Sequence, residues 1–293
     1  MDRDFVGYGR NIPVAPWPNK ARIAINFAVN YEEGAERSVP DGDGVADRGE
    51  MAYPVDGHRD FANETNFEYG SRVGVWRLFD IFAKHDVKTT FLACGRALER
   101  NPEVGKEIAA MGHEACSHGY RWGEHFRMSE DEEREEIRKA ISAIERTTGQ
   151  RPLGWYCRYS RGPRTRELLA EEGGFVYDSD AYNDDLPYFT KVSGKRWLVV
   201  PYSMDSNDGR YWSVPGVFSP DAFLDYLKLT FDRMYEEGAT HPRIMSVGLH
   251  CRISGRPAKA TAIERFIQYA KGHPDVWFAR RIDIARVWLE HFG

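Results

Sequence analysis

TTFLACGRALERNPEVGKEIAAMGHEACSHGY, residues 89–120, contains a strand, a helix and a second strand in close succession. The apolar run VKTTFLAC (87–94) has the composition of a buried strand. NPEVGKEIAAMG (101–112) carries Pro in its first turn and Gly at its end, as a helix does. HEACSH (113–118) is a second short apolar strand running into a loop. A strand, a crossover helix and another strand predict parallel pairing, and with it an α/β architecture.

The same alternation continues outward in both directions. Upstream, ARIAINFAV (21–29) is an apolar, β-branched run and SRVGVWRLFDIFAKHD (71–86) has helical spacing. Downstream, SEDEEREEIRKAISAIERTTG (129–149) begins with Ser129 as N-cap and acids in its first turn, and it stops at Gly149. RPLGWYC (151–157), FVYDSD (175–180), WLVVPYS (197–203), PRIMSVGLHC (242–251) and VWFAR (276–280) are further strands. Helical runs at 220–238, 261–272 and 282–292 separate or follow the later ones. With no composition shift and no repeat, residues 1–293 are expected to form one α/β domain. The unpatterned stretch 30–69 is expected to be a long active-site or oligomer loop.

Hydrophobic residues at 42% and aromatics at 13% supply a sizeable core. A net charge of -5 argues against nucleic acid or an anionic membrane as partner. No apolar run approaches the roughly 20 residues that span a bilayer. MDRDFVGYGRNIPVAPWPNK lacks the plan of a signal peptide, so a cytoplasmic protein is expected. Four scattered cysteines, without Cys-x-x-Cys spacing, point away from disulfide scaffolds and zinc knuckles.

Polar clusters gather where strands end. NYEEGAE gives Asn30, Glu32, Glu33 and Glu36; SHGYRWGEH gives His118, Arg121, Glu124 and His125. MDSNDGR gives Asp205, Asn207 and Asp208; GLHCR gives His250 and Arg252. Acids on one strand end and histidines on two others suit hydrolysis, in which a carboxylate takes a proton from water and an imidazolium returns one. Each also has a plain reading: solvated turn acids, a core histidine, an Asx-rich turn. Spacing alone supports an α/β hydrolase and no more.

The order of these motifs resembles the polysaccharide deacetylase superfamily, from about residue 5 to residue 290. The resemblance implies a distorted (β/α) barrel with about seven parallel strands. NYEEG resembles the motif that supplies a catalytic-base aspartate and a metal aspartate, and GLHCR the Leu-His motif of the general acid. Trp122 stands where those enzymes have a second metal histidine, and Glu32 and Glu33 where they have two aspartates. A shifted register would instead place Asn30 and Glu32 there. With one histidine missing, Zn²⁺ would need Glu124 or His125 beside His118. The expectation is therefore a site with no cofactor, bound Zn²⁺ being the disfavoured alternative.

DFVGYGRNIPVAPWPNKARIAINFAVNYEEGAE, SHGYRW, RPLGWY, EEGGFVYDSDAYNDDLPY, MDSNDGR and VGLHCRISGRPA are similar to one branch, the cofactor-independent allantoinases, which hydrolyse a hydantoin ring. CRYSRGPRTREL (157–168) is one residue longer than the matching allantoinase stretch, and the loop 34–68 differs too. The resemblance thus implies a cyclic amide hydrolase for a small heterocycle. A cyclic imide (succinimide, maleimide or hydantoin type) is expected first, allantoin next, and metal-dependent sugar N-deacetylation more distantly. In that reading Glu33 or Glu32 activates water, and His250 is the acid, oriented by Asp205 or Asp208. The turn after Tyr156, or an arginine, meets the oxyanion. Trp122 and Tyr120 stack on the ring, and His118, Trp155, Tyr156, Arg158 and Arg252 complete the substrate-binding set. A homo-oligomer, dimer or tetramer, is expected from the resemblance and from Trp17, Tyr53 and Phe61 as exposed aromatics.

Overall fold

Strand β1 (Ile23–Tyr31) is buried at every position, as a strand with neighbours on both sides and helices on its faces must be. The computed structural model describes residues 3–49, 53–212, 216 and 219–293. Around β1 it assembles β2 (Thr90–Ala93), β3 (Glu114–Ser117), β4 (Gly154–Trp155), β5 (Tyr177–Asp178), β6 (Tyr188–Val192), β7 (Lys195–Val199), β8 (Arg243–His250) and β9 (Val276–Phe278). The order is β6-β7-β5-β4-β3-β2-β1-β8, with β9 paired to the first part of β1. Every pairing is parallel except β6 with β7. Seven parallel strands therefore lie on the main path, as the resemblance implied. The antiparallel β6 is an addition: Ser193 and Gly194, both at positive φ, turn a hairpin through a stretch too polar to read as a strand.

Among the described residues no ladder joins β7 to β8, and a buried arginine spans that seam. Arg281, first residue of α10 (Arg281–Phe292), is fully buried. Its Nη2 donates to the carbonyls of Val200 (2.6 Å) and Pro201 (2.5 Å), Nη1 to Ser246 Oγ (2.9 Å), and Nε to Ser179 Oγ (2.8 Å). A buried guanidinium is tolerable only when its donors are satisfied in this way.

The helices pack outside the sheet: α1 (Phe61–Tyr69), α2 (Val75–Lys84), α3 (Gly95–Arg100), α4 (Pro102–Ala110), α5 (Glu130–Thr148), α6 (Thr165–Glu172), α7 (Pro220–Glu237), the single turn α8 (Cys251–Ser254), and α9 (Pro257–Lys271). Ser129 and Glu132 form a full capping box on α5, and Gly149 ends it at φ 73°. The expected helix over 71–86 begins ten residues earlier, because Asp60 accepts from the Asn63 N–H and caps α1. A π-helical turn, Gly70–Gly74, then joins α1 to α2. The unpatterned stretch is consequently shorter than 30–69. Ion pairs of Asp41 with Arg96 on α3, and of Asp43 with Arg121, Asp47 with Arg158 and Arg37 with Glu124 in loops, pin what remains to its neighbours.

Trp17, expected to be exposed, is buried against Trp277 and Trp288, whereas Tyr53 and Phe61 are exposed. All four cysteines are buried and free. Among the described residues no helix is long and apolar enough to cross a membrane.

Candidate active site

Registers in the sheet bring the polar strand ends to one rim. Asn30 is level with Leu92 on one side and His250 on the other, and Ala93 is level with Ser117. Residues following β1, β3 and β8 therefore converge where parallel α/β folds place their chemistry.

Glu32 is the centre of that convergence. Its Oε1 lies 3.4 Å from His118 Nε2 and 3.6 Å from His250 Nε2, while Oε2 accepts from Arg252 Nη1 at 2.7 Å. Glu32 is 1% exposed, and burial alone would raise its carboxyl. Arg252, His250 and His118 outweigh that and hold it well below the usual carboxylate range.

His250 is tied to a second acid. Its Nδ1 and the Asp208 Oδ1 are 2.6 Å apart, and Asp208 Oδ2 accepts from the His250 N–H and from Ser254 Oγ, each at 2.7 Å. Because a carboxylate only accepts, Nδ1 carries its hydrogen and Nε2 faces Glu32. Burial lowers the imidazole, but Asp208 and Glu32 overcome it and raise His250 to about 9. His118 is fixed in the same way: Nδ1 faces the Tyr156 carbonyl at 2.8 Å, the ring stacks on Tyr156, and Nε2 looks at Glu32.

Glu33, the other candidate base, turns away from the imidazoles. Its Oε2 accepts from the Glu32 N–H (3.0 Å) and its Oε1 from the Arg252 N–H (3.1 Å). Burial, with the Glu32 charge adding and Arg252 opposing, pushes it up to about 7. Asn30, the residue of the shifted register, donates to the Tyr202 hydroxyl and the Leu249 carbonyl.

Several expected site residues lie elsewhere. Asp205 is exposed, accepts from Tyr226 and pairs with Arg210, so the acid beside His250 is Asp208. Tyr120 points outward, its hydroxyl on Glu99. Trp155 is fully buried, with its indole N–H on Cys157 Sγ and its ring edge-on to His125. Arg158 is committed to Asp47 through two bonds of 2.6 and 2.7 Å and donates to the Trp122 carbonyl. The Cys157 N–H, in the turn expected to meet an oxyanion, is taken by Asp180 at 2.7 Å. Trp122 is 7% exposed, with the Arg158 guanidinium 3.6 Å from its ring centre and Arg252 at 5.4 Å. It supports the arginine on Glu32 more than it offers an open wall. The signal for Asp208 was present in SNDGR: Asn207 accepts from the Gly209 N–H, closing the Asx turn that aims its neighbour inward.

The residues do not fit a divalent cation. A guanidinium occupies one oxygen of Glu32, and an indole stands at the second histidine position. The substitutes do not reach His118, since Glu124 holds Arg37 and Arg127 and the His125 ring faces Glu133. Among the described residues no three His, Cys, Asp or Glu side chains form a ligand group. A cavity of about 520 Å³ opens beyond Arg252, lined by Thr65, Asn66, Tyr69, Trp212, Arg256 and Lys259; it does not touch Glu32 or His250.

The chain is similar to known proteins in sequence and in fold. Residues 63–177 match the polysaccharide deacetylase family. A Schizosaccharomyces pombe protein described as a polysaccharide deacetylase is 36% identical, the alignment covering 98% of this chain and 96% of that one. A crystal structure from Pseudomonas aeruginosa PAO1, described likewise, is 50% identical with a TM-score of 0.95, covering 100% of this chain and 99% of the other. The crystal structure of PuuE allantoinase is 49% identical with a TM-score of 0.95, covering 100% and 98%.

Proposed function

The chain belongs to the polysaccharide deacetylase family, and we propose that within it the protein is a hydrolase that opens the C–N bond of a small cyclic amide, with the hydantoin ring of allantoin as first substrate. Five-membered cyclic imides come second. The sequence reading put imides first; 49% identity to an allantoinase over the whole chain supports the reverse order. The observation that carries the chemistry is Glu32 Oε1 set between two imidazole Nε2 atoms, at 3.4 and 3.6 Å.

A water bound there donates a hydrogen to Glu32 Oε1 and turns a lone pair towards the ring carbonyl, with His118 Nε2 beside it at the edge of the carboxylate. Glu32 takes its proton as the C–O bond forms. The oxyanion develops beside the fixed positive charges of His250 and Arg252. His250, protonated below about pH 9, gives its Nε2 proton to the ring nitrogen as the C–N bond breaks. In hydantoin and succinimide alike, that nitrogen lies between two carbonyls, so it leaves more readily than an ordinary amide nitrogen. The products are a carboxylate and a ureido or amide group.

The test is product analysis of allantoin, hydantoin, succinimide and maleimide against N-acetylglucosamine oligomers. Ring opening, with the oligomers untouched, supports the proposal. Release of acetate from the oligomers with every ring intact would overturn it in favour of sugar deacetylation.

A further inference from the structure

The mechanism leaves one buried acid of the site without a task. Glu33 is 2% exposed, and its two oxygens accept from the backbone N–H groups of Glu32 and Arg252, the two residues whose side chains form the 2.7 Å pair. One carboxylate thus joins the end of β1 to the start of α8. Behind it is the π-helical turn. A Cβ built on Gly70 would fall 2.3 Å from Glu33 Oε1 and 2.6 Å from its Cγ, so only glycine fits at that distance. The turn is held in place in turn: Tyr31 Oη and Ser71 Oγ are 2.9 Å apart, and Asn101 Nδ2 donates to Ser71 Oγ at 3.0 Å. Four residues on, a Cβ on Gly74 would meet the Cys251 carbonyl, so a second glycine lets the helix press on α8 itself. π-helical turns tend to occur at functional sites, and this one backs the Glu33 carboxylate.

We propose that Glu33 is a positioning residue: its carboxylate, backed by Gly70, brackets the backbone of Glu32 to that of Arg252 and keeps the base aligned with the two imidazoles. The inference rests on the reaction assigned above. Misplacing a reacting group by about 1 Å can cost about 100-fold in rate, which sets the scale of the effect. The bracket needs two acceptors, so it is complete only when Glu33 is ionised. The titrating and charged groups facing it are Tyr31 from β1, Glu32 just after that strand, Cys94 just before α3, and Arg252 and Cys251 from α8; Gly70 and Ser71 add none. Glu33 ionises near pH 7, so kcat should rise through neutrality.

Glu33→Gln keeps the volume but turns an NH₂ group on one of the two N–H donors. The expected result is a kcat lowered about 10- to 100-fold, with KM within about twofold, a melting temperature lowered by only a few degrees and still well above the assay temperature, and a kcat profile without the neutral limb. Gly70→Ala should lower kcat likewise. An unchanged kcat and profile in folded Glu33→Gln would overturn the inference, as would a loss that merely follows a lowered melting temperature. Amide hydrogen exchange gives a readout independent of turnover: protection at Glu32 and Arg252 should fall in both variants while neighbouring strands stay protected. If the wild type opens no ring, the assigned reaction fails, and exchange alone decides whether the bracket exists.

Discussion

Replacing Asp208 by Asn tests how the protein keeps a histidine protonated at a pH where hydrolysis can use it. Asp208 is fully buried and accepts three hydrogen bonds, two of them from His250. With it, His250 sits at about 9; without its charge, the ring should return towards the ordinary value of about 6.5. At pH 8 the protonated fraction would then fall from about 90% to about 3%, roughly 30-fold, whereas at pH 6 it changes by less than about twofold. The variant should therefore lose about 30-fold in kcat at pH 8 beyond whatever it loses at pH 6. Stability carries the same sign. A histidine raised on folding contributes fully below about 6.5, and its contribution disappears as pH rises through about 9; a shift of this size corresponds to about 3 kcal/mol. Urea unfolding of the wild type should thus show less stability at pH 9.5 than at pH 6, with a smaller difference in Asp208→Asn. Rate profiles measured from pH 6 to 9 decide the matter: a variant whose defect is the same at every pH would refute the acid role given to His250.

Glu32→Gln should lower kcat by about 10²- to 10⁴-fold at every pH, as expected on removal of a general base; near-normal turnover in a folded variant would move the base elsewhere. The same change leaves the Arg252 guanidinium without its closest anion, with Glu33 Oε1 still 3.8 Å away, and should cost up to about 3 kcal/mol in chemical denaturation. Trp122→Ala removes an almost fully buried indole packed on Arg158 and Phe67 and should cost about 3–5 kcal/mol. Trp122→Phe should recover most of that stability, and a raised KM in the folded Phe variant would show ring contact with substrate as well as packing.

Much of the architecture was legible because strong local rules agreed with the final packing. The β1 run, the N-cap at Ser129 and the helix stop at Gly149 all read directly from residue type and spacing. The polar strand β6 did not, since a hairpin at the edge of a sheet needs no apolar pattern. At the rim, the sequence placed His118, His250, Arg252 and the glutamate pair together, but it could not say which glutamate faces the histidines. That depends on backbone direction after β1, fixed by N–H donors from Glu32 and Arg252, residues far apart in sequence. Asp205 looked as suitable as Asp208 because both lie in one Asx-rich turn; the turn before Asn207 leaves Asp205 at the surface with Tyr226, and the 3-10 segment that begins at Asp208 sets that acid on His250. Tyr120, Trp155 and Arg158 were read as ring-binding from residue type, yet Glu99, Cys157 and Asp47 respectively claim their polar atoms. Gly70 and Gly74, four residues apart in a helical run, were a readable mark of close backbone approach.

The most direct measurement is the rate of allantoin opening by protein dialysed against a strong chelator, with bound metal assayed in the same sample. Full turnover with substoichiometric metal is the predicted result, because Arg252 already holds one oxygen of Glu32 and, among the described residues, no three ligand side chains gather around a common point. Activity lost on dialysis and restored by Zn²⁺ would contradict the account and require a ligand set that the Glu32 cluster does not provide.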